Sequence, residues 1–159
     1  MPTGMMIGVI GAGSCDDHIG ELAYRVGKGI ALAGHTLVCG GLGGVMEAAC
    51  RGARGAGGTT IGILPGDSYR SANPHVTLPV VTGMGIARNV IIVRSSRALI
   101  AVSGGPGTLS EIAFALQLDV PVVSLESHTP SPAVTVARDP EHAVREALRL
   151  AGLEDSTEE

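Results

Sequence analysis

The sequence predicts an α/β domain, doubly wound, with a mainly parallel sheet flanked by helices. Short β-branched runs alternate with helical segments along almost the whole chain. The runs are apolar at nearly every position, the pattern of strands covered by helices on both faces. Glycine makes up 24 of 159 residues, about twice its usual share. Its clusters directly follow the apolar runs, where a Rossmann-like sheet lets backbone approach a ligand.

Strands are predicted over 5–11 (MMIGVIG), 35–40 (HTLVCG), 59–65 (TTIGILP), 75–82 (HVTLPVVT), 97–103 (RALIAVS) and 120–126 (VPVVSLE). Between and after them, helices are predicted over 16–33, 45–56, 85–95, 108–118 and 140–150. Ser14 is placed to cap the first helix, whose opening turn carries Asp16 and Asp17 and so suits the positive end of the helix dipole. The stretch over 89–95 is apolar around most of its circumference, so it is buried in the chain or covered by a second subunit. Residues 67–74 (DSYRSANP) read as a surface connection or as a mobile loop beside the site. The domain is expected to span 1–151, with the polar end over 152–159 (GLEDSTEE) disordered.

Composition excludes several classes of function. Eleven Lys and Arg stand against 15 Asp and Glu, a formal charge of −4, so a basic face for nucleic acid is not expected. Only Tyr24, Tyr69 and Phe114 are aromatic, too few for a base-stacking platform. Cys15, Cys39 and Cys50 are odd in number and lack C-x-x-C spacing, which fits a reducing compartment, the cytoplasm, and argues against a zinc site. Cys39, at the end of the second strand, reads as a small buried residue. His18, His35, His75, His128 and His142 are scattered and read as surface or loop residues. No metal site, signal segment or membrane helix is expected.

Three glycine clusters fall at the carboxyl ends of predicted strands, where helix N-termini offer free N–H groups to an anion. They are Gly11-Ala12-Gly13-Ser14, Gly40-Gly41-Leu42-Gly43-Gly44 and Ser103-Gly104-Gly105-Pro106-Gly107-Thr108. In the first, Asp16 stands where a dinucleotide fingerprint needs its third glycine, and the second strand ends in Gly40-Gly41 rather than an acidic residue, so a nicotinamide cofactor is not expected. No G-x-x-x-x-G-K-[ST] occurs. Tight strand–helix packing alone also explains part of the second cluster. In the third, Thr108-Leu109-Ser110-Glu111 matches a capping box, which accounts for Thr108 and Glu111 but not for Gly104, Gly105 and Gly107 upstream. Those glycines suit a concave row of N–H donors for a phosphate. Arg88 is the candidate to balance its charge, with a surface or intersubunit ion pair as the alternative role, and Asn89 is placed to orient Arg88 or touch the ligand.

Together these residues resemble the LOG-like (SLOG) Rossmann superfamily, whose members were once labelled lysine decarboxylases. The resemblance spans roughly residues 6–125. Its most specific piece is Gly104-Gly105-Pro106-Gly107-Thr108-Leu109-Ser110-Glu111, which matches P-G-G-x-G-T-x-x-E with Ser103 in place of the proline. Gly40-Gly41-Leu42-Gly43-Gly44-Val45-Met46-Glu47-Ala48 and the run over 57–65 support it. In cytokinin-activating relatives, phosphoribohydrolases of nucleoside 5′-monophosphates, the resemblance implies that Arg88 and Glu111 match the catalytic pair. Those enzymes carry M-H-E-R-K where this chain has Gly85-Ile86-Ala87-Arg88-Asn89. The run from 82 to 111 is more similar to a shorter branch that includes molybdenum-cofactor carrier proteins, which implies a bound phosphorylated pterin or nucleotide and a homodimer or dimer-based homo-oligomer.

Two functions are therefore expected from this sequence. One is a binding or carrier role, with no cofactor required for chemistry and a nucleotide or molybdenum cofactor as the bound ligand. The other is N-glycosidic hydrolysis, in which Glu111, favoured as an anion near its helix start, acts as base or charge stabiliser. Lysine decarboxylation is rejected, since pyridoxal chemistry needs a lysine and Lys28 lies mid-helix, away from the strand ends.

Overall fold

The computed structural model describes residues 4–153. Seven strands and five α-helices alternate among them: β1 (Met6–Gly11), α1 (Asp17–Leu32), β2 (Thr36–Cys39), α2 (Val45–Gly55), β3 (Thr60–Leu64), β4 (Leu78–Val81), α3 (Arg88–Ser95), β5 (Leu99–Val102), α4 (Pro106–Gln117), β6 (Val122–Leu125), β7 (Thr135–Val136) and α5 (Pro140–Leu150). The sheet runs β4-β3-β2-β1-β5-β6-β7, and every neighbouring pair is parallel. The fold is Rossmann-like, as expected, with a sheet that is wholly parallel.

Alternation along the central strands divides the core into two layers. Leu37, Cys39, Ile100 and Val102 join one apolar cluster with α1, α2 and α5, while Val38, Leu99 and Ala101 join another with α3 and α4. The order in which strands are added reverses beside β1: β2 lies on one side and β5 on the other. Gly11 at the end of β1 is in register with Val102 at the end of β5. The loops leaving these strands part toward opposite faces, which opens a crevice at the switch point.

Lone glycines set the close approach of the first two helices. A Cβ on Gly27 of α1 would lie 1.9 Å from the Ala49 carbonyl oxygen, and one on Gly52 of α2 would lie 2.0 Å from that of Tyr24. Other glycines end helices. Gly34, Gly57 and Gly152 take positive φ just beyond α1, α2 and α5, and each closes a Schellman cap with the residue after it.

The structure departs from the sequence reading in several places. Asp16, not Ser14, caps α1, its Oδ1 accepting from the Ile19 N–H at 2.9 Å. All four residues of β4 are exposed, because β4 is the edge of the sheet, where Pro79 removes one donor that a further strand would need. The two-residue β7 had no sequence signal. Gly152 and Leu153 do not continue as a tail: Leu153 donates to the Leu148 carbonyl at 2.8 Å and packs on the core. Residues 154–159 of the expected tail lie outside the described residues.

Candidate functional site

The start of α4 differs from a capping box. Pro106 fixes φ and needs no N–H partner, so the helix begins there, with Gly105 at the N-cap and no side-chain cap. Thr108 and Glu111 therefore sit inside the helix, both buried, with Thr108 in the first turn and Glu111 in the next. The first-turn N–H groups of Gly107 and Thr108 have no acceptor within the helix. Pro106 interrupts the expected donor row, which reduces to Gly105, Gly107 and Thr108 on the wall of the crevice. Gly104 is required for a different reason: at φ 106°, a Cβ there would overlap Thr108 Oγ1 at 2.2 Å. Ser103 has φ 52°, which a proline ring cannot adopt.

Arg88 opens α3 and is buried. Its Nε donates to the Ile63 carbonyl at 2.8 Å, Nη1 donates to Asn89 Oδ1, and Nη2 reaches the Gly40 carbonyl at 3.5 Å. Three of its five N–H groups are thus committed to holding the fork in place. No carboxylate forms a salt bridge with it among the described residues. Gly40 makes room for it, since a Cβ there would meet Arg88 Nη2 at 2.7 Å and Met46 Sδ at 2.8 Å.

These groups converge on one cavity of about 420 Å³. Gly11, Gly40, Arg88, Asn89, Gly105, Gly107, Thr108 and Glu111 all line it. The sequence reading did not assign its apolar walls, Val9, Ile10, Met46, Ile86 and Ile92, to the site, although Met46 and Ile86 fall within the runs that carry the family resemblance. Glu111 faces both apolar wall and guanidinium. Burial pushes its carboxyl up to about 7 from the usual 4.5, and Arg88 pulls it back only in part. The expectation that the helix start would keep this group ionised is therefore corrected: desolvation outweighs a dipole that has faded by the second turn.

Ser14, Gly43 and Gly44 instead line a neighbouring cavity of about 450 Å³, together with Glu47, Arg51 and His75. Only Gly13 is shared between the two. Gly41 lines neither. It packs on Gly62 and Leu64, and its carbonyl accepts from the Asn73 N–H at 2.8 Å while Asn73 Nδ2 donates to the Leu42 carbonyl. Segment 67–74 thus anchors the glycine loop and contributes nothing to the walls of the main cavity. Cys39 is buried, with its Sγ 3.5 Å from that of Cys50.

The sequence pattern of the SLOG cluster4 family matches residues 4–151. The chain belongs to the SLOG cluster4 family. Among solved structures, this SLOG cluster4 chain is similar to the molybdenum cofactor binding protein of Rippkaea orientalis, with TM-score 0.88 and 38% identity over 92% of this chain and 97% of that one. It is also similar to the molybdenum cofactor carrier protein of Chlamydomonas reinhardtii, with TM-score 0.85 and 38% identity over 94% and 99% of the two chains. A cytokinin riboside 5′-monophosphate phosphoribohydrolase of Mycobacterium tuberculosis is 42% identical over 96 residues, which cover 58% of this chain and 51% of that protein. No helix among the described residues is long and apolar enough to cross a membrane.

Proposed function

We propose that this chain is a carrier-type binding protein for a phosphorylated heterocycle, a nucleotide or the molybdenum cofactor. The observation that carries this reading is the meeting, in one cavity, of uncapped N–H groups at the α4 start and a buried guanidinium with donors to spare. An anionic phosphate suits that pair. The apolar walls suit a flat heterocycle, and the volume lies in the range of small-molecule sites, roughly 300–1,000 Å³. Gly105, Gly107, Thr108 and Arg88 would hold the phosphate, with Met46, Ile86 and Ile92 against the ring. Among the described residues no group of three or more His, Cys, Asp or Glu is placed to hold a metal ion. A metal in the ligand would therefore keep the ligand's own donors. Mass spectrometry of small molecules released from freshly purified protein is expected to recover a phosphorylated pterin or nucleotide. Arg88→Ala should weaken its binding by roughly 100-fold, the usual scale for losing a charge-assisted contact. Recovery of nothing, with no affinity for nucleotides or pterin phosphates, would remove the proposal.

One observation favours a second reading, nucleoside monophosphate hydrolysis: Glu111 shares the cavity with Arg88 and titrates at about 7. A carboxyl poised there can exchange protons near neutrality, as a base activating water against an oxocarbenium-like sugar requires. Adenine and ribose 5-phosphate released from AMP are its diagnostic products.

The same reading includes a homodimer. Ile86 is 86% exposed at the cavity mouth, and Leu109, Phe114 and Leu118 of α4 are each more than a third exposed. An apolar surface of this kind on the adjoining α3–α4 layer suits a second copy. Light scattering is expected to give twice the chain mass, and Ile86→Asp should halve it. A monomeric wild type would exclude this surface as an interface.

A further inference from the structure

The α4 start is gripped from behind by the segment that follows β6. Ser127 Oγ donates to the Ser103 carbonyl, and His128 Nε2 lies 3.1 Å from the Gly104 carbonyl oxygen. A carbonyl only accepts, so this contact requires the hydrogen on His128 Nε2. The Ser103 N–H in turn donates to the Leu125 carbonyl at 3.2 Å. We propose that Ser127 and His128 are positioning residues that aim the Gly105 N–H group toward the main cavity by holding the Ser103 and Gly104 carbonyls on the far side of the loop. The inference rests on the anion-binding reading above for its functional meaning, but its geometry stands apart from it.

Planarity of the peptide supplies the mechanism. The described residues contain no cis peptide, and in a trans peptide the C=O and N–H point to opposite sides. Fixing the Ser103 carbonyl on the 126–128 side turns the Gly104 N–H the other way, and fixing the Gly104 carbonyl does the same for the Gly105 N–H. Gly105 lines the main cavity, whereas Ser127 and His128 do not. Ser127 and His128 thus grip the loop without themselves entering the cavity that Gly105 borders.

The loop needs such a grip because its backbone is held in conformations disfavoured on their own. Ser103 and Glu126, one residue past the ends of the paired strands β5 and β6, both have φ 52°, a region disfavoured for residues with a side chain, while Gly104 at φ 106° is in a region open to glycine. Left free, the 104–105 peptide can turn over, as glycine permits. That turn would replace a donor at the cavity wall with a carbonyl oxygen and convert attraction for an anion into repulsion. Held by two side chains, the peptide keeps its donor facing the ligand before the ligand arrives.

The test compares His128→Phe, which keeps a ring but loses the donor, with His128→Gln, which keeps a donor, and with Ser127→Ala. Two readouts apply to the full chain. Residual dipolar coupling of the Gly105 N–H reports peptide orientation without ligand, and calorimetric titration with inorganic phosphate reports binding. The Gly105 coupling should change in His128→Phe and return to the wild-type value in His128→Gln. Phosphate affinity should fall about tenfold in His128→Phe and in Ser127→Ala, and recover in His128→Gln. A Gly105 coupling that is the same in wild type and His128→Phe overturns the proposal, as does a loss that His128→Gln fails to reverse. A changed coupling in a protein that binds no phosphate would support the positioning role and overturn the anion-binding reading instead.

Discussion

Gly27→Ala is expected to destabilise the fold by about 3 kcal/mol, the upper end of the usual cost of overpacking. The added methyl would sit 1.9 Å from the Ala49 carbonyl oxygen, 2.7 Å from its carbon and 3.0 Å from its Cα. All three are backbone atoms, so no rotamer change relieves the overlap. Helices α1 and α2 must separate, and the contacts that Val26, Ile30, Ala49 and Ala53 make in the first core layer loosen with them. Alanine would favour an isolated helix over glycine by about 0.5–1 kcal/mol, too little to offset the clash. Gly20 provides the control in the same helix. A Cβ there finds only Cys15 Sγ, at 3.9 Å, so Gly20→Ala should be neutral or stabilising. Urea unfolding of the two variants, with midpoints compared at unchanged slope, separates them. Equal stability would mean that the helices do not cross through their glycines.

These glycines mark where sequence reasoning succeeds and where it stops. Clusters after apolar runs pointed to the switch-point edge of a parallel sheet, and Gly11, Gly40, Gly105 and Gly107 do line the cavity there. Single glycines within helices gave no such signal, because their partners, Ala49 and Tyr24, become neighbours only after α1 and α2 cross. A similar limit governs Thr108 and Glu111. The four-residue capping pattern was a sound local reading, but Pro106 starts the helix two residues earlier. Arg88 was legible as a cation just past β4, whereas the Ile63 carbonyl that holds it lies 25 residues away in the chain. His128 read as a loop residue for the same reason: its partner carbonyl at Gly104 is 24 residues upstream. Long-range burial and hydrogen bonding decide these roles, and neither is written in local spacing.

Glu111→Gln is expected to raise stability at alkaline pH and to separate the two functional readings. The carboxyl of Glu111 titrates at about 7 in the folded chain against the usual 4.5, with burial as the main cause. Its folded value is the higher one, so the stabilisation it contributes is complete below about 4.5 and is lost as pH rises through about 7. Above that range the native state buries a carboxylate that Arg88 only partly compensates. Glutamine resembles the protonated acid in shape and carries no charge. The variant should therefore match wild type near pH 4.5 and exceed it by up to about 3 kcal/mol near pH 8, the full value of a shift of this size. A difference that does not vary with pH would mean that Glu111 is not held protonated by its surroundings. The ligand measurements then divide the readings. A carrier needs Glu111 only as part of the wall, so Glu111→Gln should retain its phosphorylated ligand. A hydrolase needs the carboxylate form, so adenine release from AMP should rise with pH through about 7 in wild type and vanish in Glu111→Gln. Ligand retained with no adenine from either protein selects the carrier, because a carboxyl poised near neutrality is then a consequence of lining an apolar cavity and not a catalytic device.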